Sequence, residues 1–115
     1  MNTETRFTPS PWNREDATVY TLAKDGGNRF RAQFTRGFGD DGKRIDNGEV
    51  VANAALAQAS PDMYAALEGA REYVAILLAE RNRAYAGFAA ITDVPDIEAC
   101  LAQIDATLAK AEGKA

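Results

Sequence analysis

Two one-sided apolar stripes in the C-terminal half limit what this chain can become. Met63, Leu67, Ala70, Val74 and Leu77 recur at spacings of four and three, and Ile97, Leu101, Ile104, Leu108 and Ala111 repeat that rhythm. Such spacing puts each set on one face of a helix, in the narrow seam of a coiled-coil-like contact. Tyr64, Tyr73 and Leu78 widen the first stripe. The connection from Phe88 to Thr92 is short, so the two helices are expected to lie antiparallel as a hairpin. The first should reach Tyr85 or Gly87. Asp93 should cap the second, with Pro95 in its first turn and Gly113 marking its end.

A hairpin of two helices leaves one side of each seam open. The run Val74-Ala75-Ile76-Leu77-Leu78-Ala79 is also apolar nearly all round its helix. The sequence therefore predicts a homo-oligomer joined through Val74, Leu77, Leu78, Ile97, Leu101, Ile104 and Leu108. At 115 residues the chain has a thin stability margin, which association would widen.

Upstream, Glu49 to Ala59 is alanine-rich and helical. Ser60-Pro61-Asp62 reads as its end and as the start of the next helix: Ser60 is a good N-cap, Pro61 suits the first helical position, and Asp62 complements the positive helix end. Val19-Tyr20-Thr21-Leu22 reads as a short strand. Asp25-Gly26-Gly27-Asn28 supplies a tight turn. In Arg29 to Thr35, Phe30, Ala32 and Phe34 alternate with Arg31, Gln33 and Thr35, the period of a half-buried strand. Residues 36–48 hold Gly37, Gly39, Gly42 and Gly48 among charged residues and read as a mobile loop, closed by a short strand around Ile45. Residues 1–18 form an extended arm, bent by Pro9 and Pro11, with Trp12 as its anchor. The expected whole is one α+β domain over residues 1–115. An antiparallel β-hairpin or small sheet and a Gly-rich loop (19–48) lead to a helical part (49–115), a short helix followed by the antiparallel helical hairpin.

Composition removes most chemistry. The chain has no histidine, hence neither the commonest general base nor the usual triads and zinc sites. Its single cysteine, Cys100, excludes an internal disulfide and suits a reducing cytoplasm; beside Leu101 it reads as a buried, inert thiol. Gly37-Phe38-Gly39 and Gly42 lack the spacing of a phosphate-binding fingerprint. Asp40-Asp41-Gly42-Lys43-Arg44-Ile45-Asp46 lacks the ligand alternation and closing Glu of a calcium loop. Neither Asp40/Asp41 nor Glu68/Glu72 makes a convincing acid–base pair. No enzyme activity, cofactor or metal is expected. The N-terminus lacks a signal peptide, and the run Tyr73 to Ala79 is too short to cross a bilayer, so the expected place is the cytoplasm of the host cell, away from membranes.

Charge is uneven. Residues 1–48 carry a net +1 and residues 49–115 a net −5. Duplex DNA, which rewards a broad positive field, is disfavoured as a partner. A local anion site remains open: Arg29 and Arg31 share a strand face, and Arg36, Lys43 and Arg44 follow in the loop. Guanidinium groups bind phosphate in a fork, and Tyr20 or Trp12 can stack on a base. The same residues also read as a face kept soluble by charge. Arg81 and Arg83 read either as dipole-matching residues at a helix end or as a second anion contact.

Thr8-Pro9-Ser10-Pro11-Trp12 and the segment from Ala52 to Leu67, A-N-A-A-L-A-Q-A-S-P-D-M-Y-A-A-L, resemble a pattern in small phage and prophage proteins. Those proteins pair an early T-P-x-P-W with a weak β-region and a segment of the type A-N-A-x-L-I-A-x-A-P-E-L-L-x-A-L. Here Ser60 stands for the usual Ala, and Met63-Tyr64 for two leucines. The resemblance implies a phage setting. With no catalytic groups, the expectation is an accessory protein acting stoichiometrically in counter-defence. It would block a host immune protein complex, as anti-CRISPR proteins do, or sequester a nucleotide signal, as phage sponge proteins do. The alternative is a structural or regulatory factor of phage development with no small ligand.

Overall fold

The computed structural model describes residues 7–84 and 96–114. Its elements run β1 (Asn13–Glu15), β2 (Thr18–Leu22), β3 (Asn28–Gln33), α1 (Asn47–Ala84) and α2 (Ile97–Ala111). The class is α+β, as the sequence implies. Contacts gather into two compact units: Thr8–Met63, and Met1–Phe7 with Tyr64–Ala115.

In the first unit the three strands form an antiparallel sheet in the order β1-β2-β3. The glycine turn closes β2 onto β3 through Gly26, whose φ of +91° only glycine adopts cheaply, with the Ala23 amide donating to the Gly27 carbonyl at 2.7 Å. β1 lies within the segment expected to be an extended arm. It turns into β2 through Asp16 at φ +54°, a conformation that Asp tolerates better than most residues. Its three residues are polar, so no alternation betrays the strand.

Val19 and Thr21 point inward and are buried; so are Val50, Ala54 and Pro61 on one face of α1. Gln58, on that same face, fastens β1. Its amide donates to the Trp12 carbonyl at 3.2 Å and its oxygen accepts from Arg14 Nε at 3.0 Å. The loop after β3 is tied down: Phe38 bridges Arg44, the Gly39 amide donates to the Lys43 carbonyl at 2.8 Å, and the Ile45 amide donates to the Gly37 carbonyl at 2.9 Å. Asp46, read from sequence as a loop residue, is the cap of α1, its carboxylate accepting from the Glu49 amide at 2.8 Å.

The expected break at Ser60-Pro61 does not occur. The short helix and the first helix of the hairpin are one 38-residue element with Pro61 inside it. A proline has no N–H for the carbonyl four residues back, here that of Ala57. The Ser60 hydroxyl donates to that carbonyl at 2.7 Å and fills the vacancy.

In the second unit α1 and α2 pair antiparallel. The register is marked by Tyr64 with Glu112, Arg71 with Asp105 at 2.5 Å, and Arg81 with Glu98 at 3.9 Å. Leu67, Val74 and Leu78 lie on the same side of α1 and are half-buried, as are Ile97, Leu101 and Ile104 on α2; Leu108 is buried. The first predicted stripe is therefore split. Tyr64, Leu67, Arg71, Val74 and Leu78 form the side toward α2, whereas Ala70 and Leu77 face solvent. Phe7 packs edge-on against Tyr64, ring centroids 5.0 Å apart. Asp93 and Pro95, the expected cap and first turn, lie outside the described residues, as do Tyr85, Gly87 and the connection 88–92. The cap of α2 is Asp96, accepting from the Ala99 amide at 3.1 Å. Gly113, at φ +77°, ends the helix as expected, and the Lys114 amide donates to the Ala109 carbonyl at 2.9 Å. Cys100 is exposed, not buried: it lies on α2 away from the face that carries Leu101 and Leu108.

The Tyr64 hydroxyl donates to Glu112 Oε2. The bond to that carboxylate, then burial, then the nearby charge of Glu68 hold the phenol well above its usual range. The same bond and the Lys114 ammonium hold Glu112 below the usual carboxylate range. The Asp105 carboxylate deepens the preference of Arg71 for its charged form.

Two predictions follow from these bonds. Ser60→Ala should cost about 1 kcal/mol in the native chain. In a Pro61→Ala background, where residue 61 supplies the missing amide, it should be close to neutral. A double-mutant cycle by urea unfolding reads the difference, and no coupling would show that the hydroxyl does not stand in for the amide. The second concerns pH. Glu112 is more acidic folded than unfolded, so its contribution is present above about pH 4.3 and is lost as pH falls through its lowered folded value. Tyr64 is less acidic folded, so its contribution is present below about pH 10 and is lost as pH rises through its raised folded value. Tyr64→Phe should flatten both arms of a plot of melting temperature against pH.

Candidate functional site

Pairing register decides which polar residues meet on the outer face of the sheet. With Val19 and Thr21 inward, Thr18 and Tyr20 point outward. Tyr20 stands directly opposite Arg31 on β3 and Asn13 on β1, while Thr18 stands opposite Gln33 and Glu15. Directly opposed residues of an antiparallel ladder share a face and approach within about 5.5 Å at Cβ. Glu15, Thr18, Tyr20, Asn28 and Arg31 thus line one open depression of about 310 Å³.

The predicted arginine cluster is only partly assembled here. Arg31 is in place and exposed. Arg29 falls between the pairs Thr21–Phe30 and Leu22–Asn28, as the extra residue of a β-bulge, so strict alternation with Arg31 is lost and Asn28 takes the place beside the depression. Arg36 is held by its own loop, its Nε donating to the Ile45 carbonyl at 2.6 Å. Lys43 and Arg44 are exposed on the small hairpin after β3: the Lys43 amide donates to Asp41 Oδ1 at 2.9 Å, and Arg44 pairs with Phe38.

The two candidate stacking residues lie on opposite faces. Trp12 packs edge-on against Phe30, ring centroids 4.9 Å apart, and its indole N–H donates to the Thr8 carbonyl at 2.9 Å. It anchors the arm, as the sequence suggests, on the inner side of the sheet. Tyr20 alone offers a ring to the depression. Neither Glu15 nor Asn28 is marked by the sequence as a site residue: β1 has no apolar alternation, and Asn28 reads as part of the glycine turn.

Of the residues expected at an oligomer interface, Leu77 is 57% exposed. Val74, Leu78, Ile97, Leu101, Ile104 and Leu108 are on the half-buried or buried sides of the helical pair. Arg81 reaches Glu98 and Arg83 pairs with Glu80, so both are engaged in ion pairs at the end of α1.

A second hollow of about 310 Å³, between Asp16-Ala17 and Asn47, Val50 and Val51, offers no cationic side chain. Among the described residues no group of three or more His, Cys, Asp or Glu is placed to hold a metal, and no helix is long and apolar enough to cross a membrane.

These placements assign different losses to the two aromatic residues. Trp12→Ala should lower stability by about 2–3 kcal/mol, below the usual cost of a fully buried aromatic because Trp12 is half-exposed. Tyr20→Ala should cost less than about 1 kcal/mol. Chemical unfolding of the two variants tests this, and equal losses would place both rings in the core.

The model of the Salmonella phage P22 protein Y8K6 family matches residues 1–115. No curated protein and no solved structure matches the chain. The chain belongs to that phage protein family.

Proposed function

We propose that this member of a phage protein family is an accessory factor that acts stoichiometrically by binding, in counter-defence, and that it sequesters a nucleotide signal on the outer face of its sheet. The observation that carries this reading is the direct pairing of Tyr20 with Arg31 across β2 and β3, in one depression with Asn28 and Thr18. A guanidinium presents paired donors to phosphate, a phenol ring offers a stacking plane, and an amide reads donor–acceptor pairs on a base edge. Glu15 at the rim can accept from a ribose hydroxyl or an exocyclic amine, and its charge disfavours ligands that offer phosphate alone. No step of bond-making is part of the proposal; the ligand is held and released unchanged.

A second reading is favoured by a different observation. Residues 49–115 carry a net −5, and such a surface competes for the basic channels of nucleic-acid-binding complexes. In that case the protein blocks an immune complex, as anti-CRISPR proteins do. A structural or regulatory role in phage development is the remaining alternative.

Calorimetry with a panel of cyclic mono-, di- and trinucleotides tests the first reading. The native chain should bind at least one of them. Arg31→Glu should weaken that binding at least 100-fold and Tyr20→Ala about 10-fold or more, while the melting temperature of each variant stays near that of the parent. If the native chain binds none of the panel and still protects phage in cells carrying a cloned defence system, the protein-blocking reading replaces it. Protection in no such strain would leave the developmental role.

A further inference from the structure

We infer that the depression on the outer face of the sheet selects guanine among the nucleobases, with Glu15 as the residue that reads it. This rests on the sequestering role proposed above and adds which ligands the site takes. Glu15 stands directly opposite Thr18, and Arg31 directly opposite Tyr20, two residues farther along β2. Glu15 and Arg31 thus occupy opposite corners of the depression, on the two outer strands, about 12 Å apart at Cα by the usual strand spacing and rise. Tyr20 stands between them, a direct neighbour of Arg31 and a diagonal neighbour of Glu15. Among the described residues no ion pair joins the two, and the lining holds no other charge. The adjacent guanidinium of Arg14 is spent on Gln58 and on the Asp16 carbonyl, so it does not neutralise Glu15.

A nucleotide has a matching order of parts: phosphate, sugar, base. With its phosphate in the Arg31 fork and its base over Tyr20, the part that reaches Glu15 is the edge of the base, because the ribose adjoins the phosphate. An ionised carboxylate only accepts, and it does so through two oxygens side by side. Guanine offers it two adjacent donors, the ring N1–H and the exocyclic amine, with the acceptor O6 next to them. The Thr18 hydroxyl, directly across from Glu15, is placed to donate to that O6. Adenine and cytosine each present one amine beside a ring nitrogen whose lone pair would face the carboxylate. Uracil presents a single N–H between two carbonyls. Each of these sets an acceptor against the charge, which is costly where guanine would satisfy it. Asn28 lies past Tyr20 at the Arg31 end, which leaves its amide for the second base of a cyclic dinucleotide.

Calorimetry of the full-length chain with cyclic di-GMP, cyclic di-AMP and the hypoxanthine analogue cyclic di-IMP tests this. The native protein should bind the guanine ligand about 10-fold or more tighter than the adenine ligand. The hypoxanthine ligand should fall between them, since it keeps N1–H and lacks the amine. Glu15→Gln is the decisive variant. An amide offers one acceptor and one donor, the pair that suits adenine, so the guanine-to-adenine ratio should fall about 10-fold or more, with the melting temperature unchanged. The ratio is the readout, because removing a negative charge strengthens binding of every anionic ligand alike. Equal binding of guanine and adenine, equal binding of guanine and hypoxanthine, or a ratio that survives Glu15→Gln would each overturn the inference and leave the sequestering role standing. Binding of other nucleotides but none of these three would do the same, whereas binding of no nucleotide would overturn both.

Discussion

The carbonyl of Ala57 is the point on which the long helix depends. Pro61 withholds the amide that this carbonyl would receive in any other helix, and a buried proline at such a position ordinarily ends or kinks the element. The hydroxyl of Ser60, 2.7 Å away, supplies the donor from one residue earlier. With the ladder mended there, α1 runs for 38 residues and serves both compact units: Val50, Ala54 and Gln58 on the sheet's side in one, Tyr64, Arg71 and Val74 toward α2 in the other. An alanine at position 60 would leave no hydroxyl for that carbonyl. The serine is thus the local feature that makes continuity natural in this chain.

The sequence made the helical pair, its antiparallel sense, the glycine turn and the Gly113 terminus readable, because each rests on a local rule with one dominant cause. The apolar rhythm has no rival explanation, and a positive φ has few candidates besides glycine. The misreadings have equally definite causes. Ser60-Pro61-Asp62 carries every mark of a helix start, and only the bond to Ala57 distinguishes a start from a patched interior. A stripe of period 3.5 does not say which of its two flanks turns inward, and ion pairs at Arg71 and Arg81 settle that for Leu67 and Val74 against Ala70 and Leu77. β1 is three polar residues joined to β2 by Asp16-Ala17, with neither alternation nor a glycine turn to show it.

The candidate site was half legible for related reasons. Period-2 alternation put Arg31 outward and register brought it to Tyr20, both foreseeable in kind. A bulge is not foreseeable from R-F-R-A-Q-F: one extra residue between two pairs removes Arg29 from strict step and admits Asn28. Arg36 reads from sequence as a candidate anion contact, yet a guanidinium near a turn satisfies backbone carbonyls as readily as phosphates, and here it is taken up by Ile45. Of five basic residues considered together, pairing and loop closure leave one beside the tyrosine.

That reduction bears on the binding role proposed above. A cluster of five loop cations would have to be ordered on binding, with each long side chain losing rotamer freedom at about 0.5–1.5 kcal/mol. Tyr20 and Arg31 instead stand on adjacent strands whose backbones the ladder already fixes, and β1 behind them is fastened to α1 by both ends of the Gln58 amide. The ordering cost is carried by folding and not by association, so a shallow, open face can hold a ligand that an equally open loop would not. A catalyst needs enclosure to exclude water and to strengthen the charges that act on its transition state. The proposed sequestering role asks instead for rigid spacing and access, which a sheet face with one guanidinium, one ring and one amide would supply.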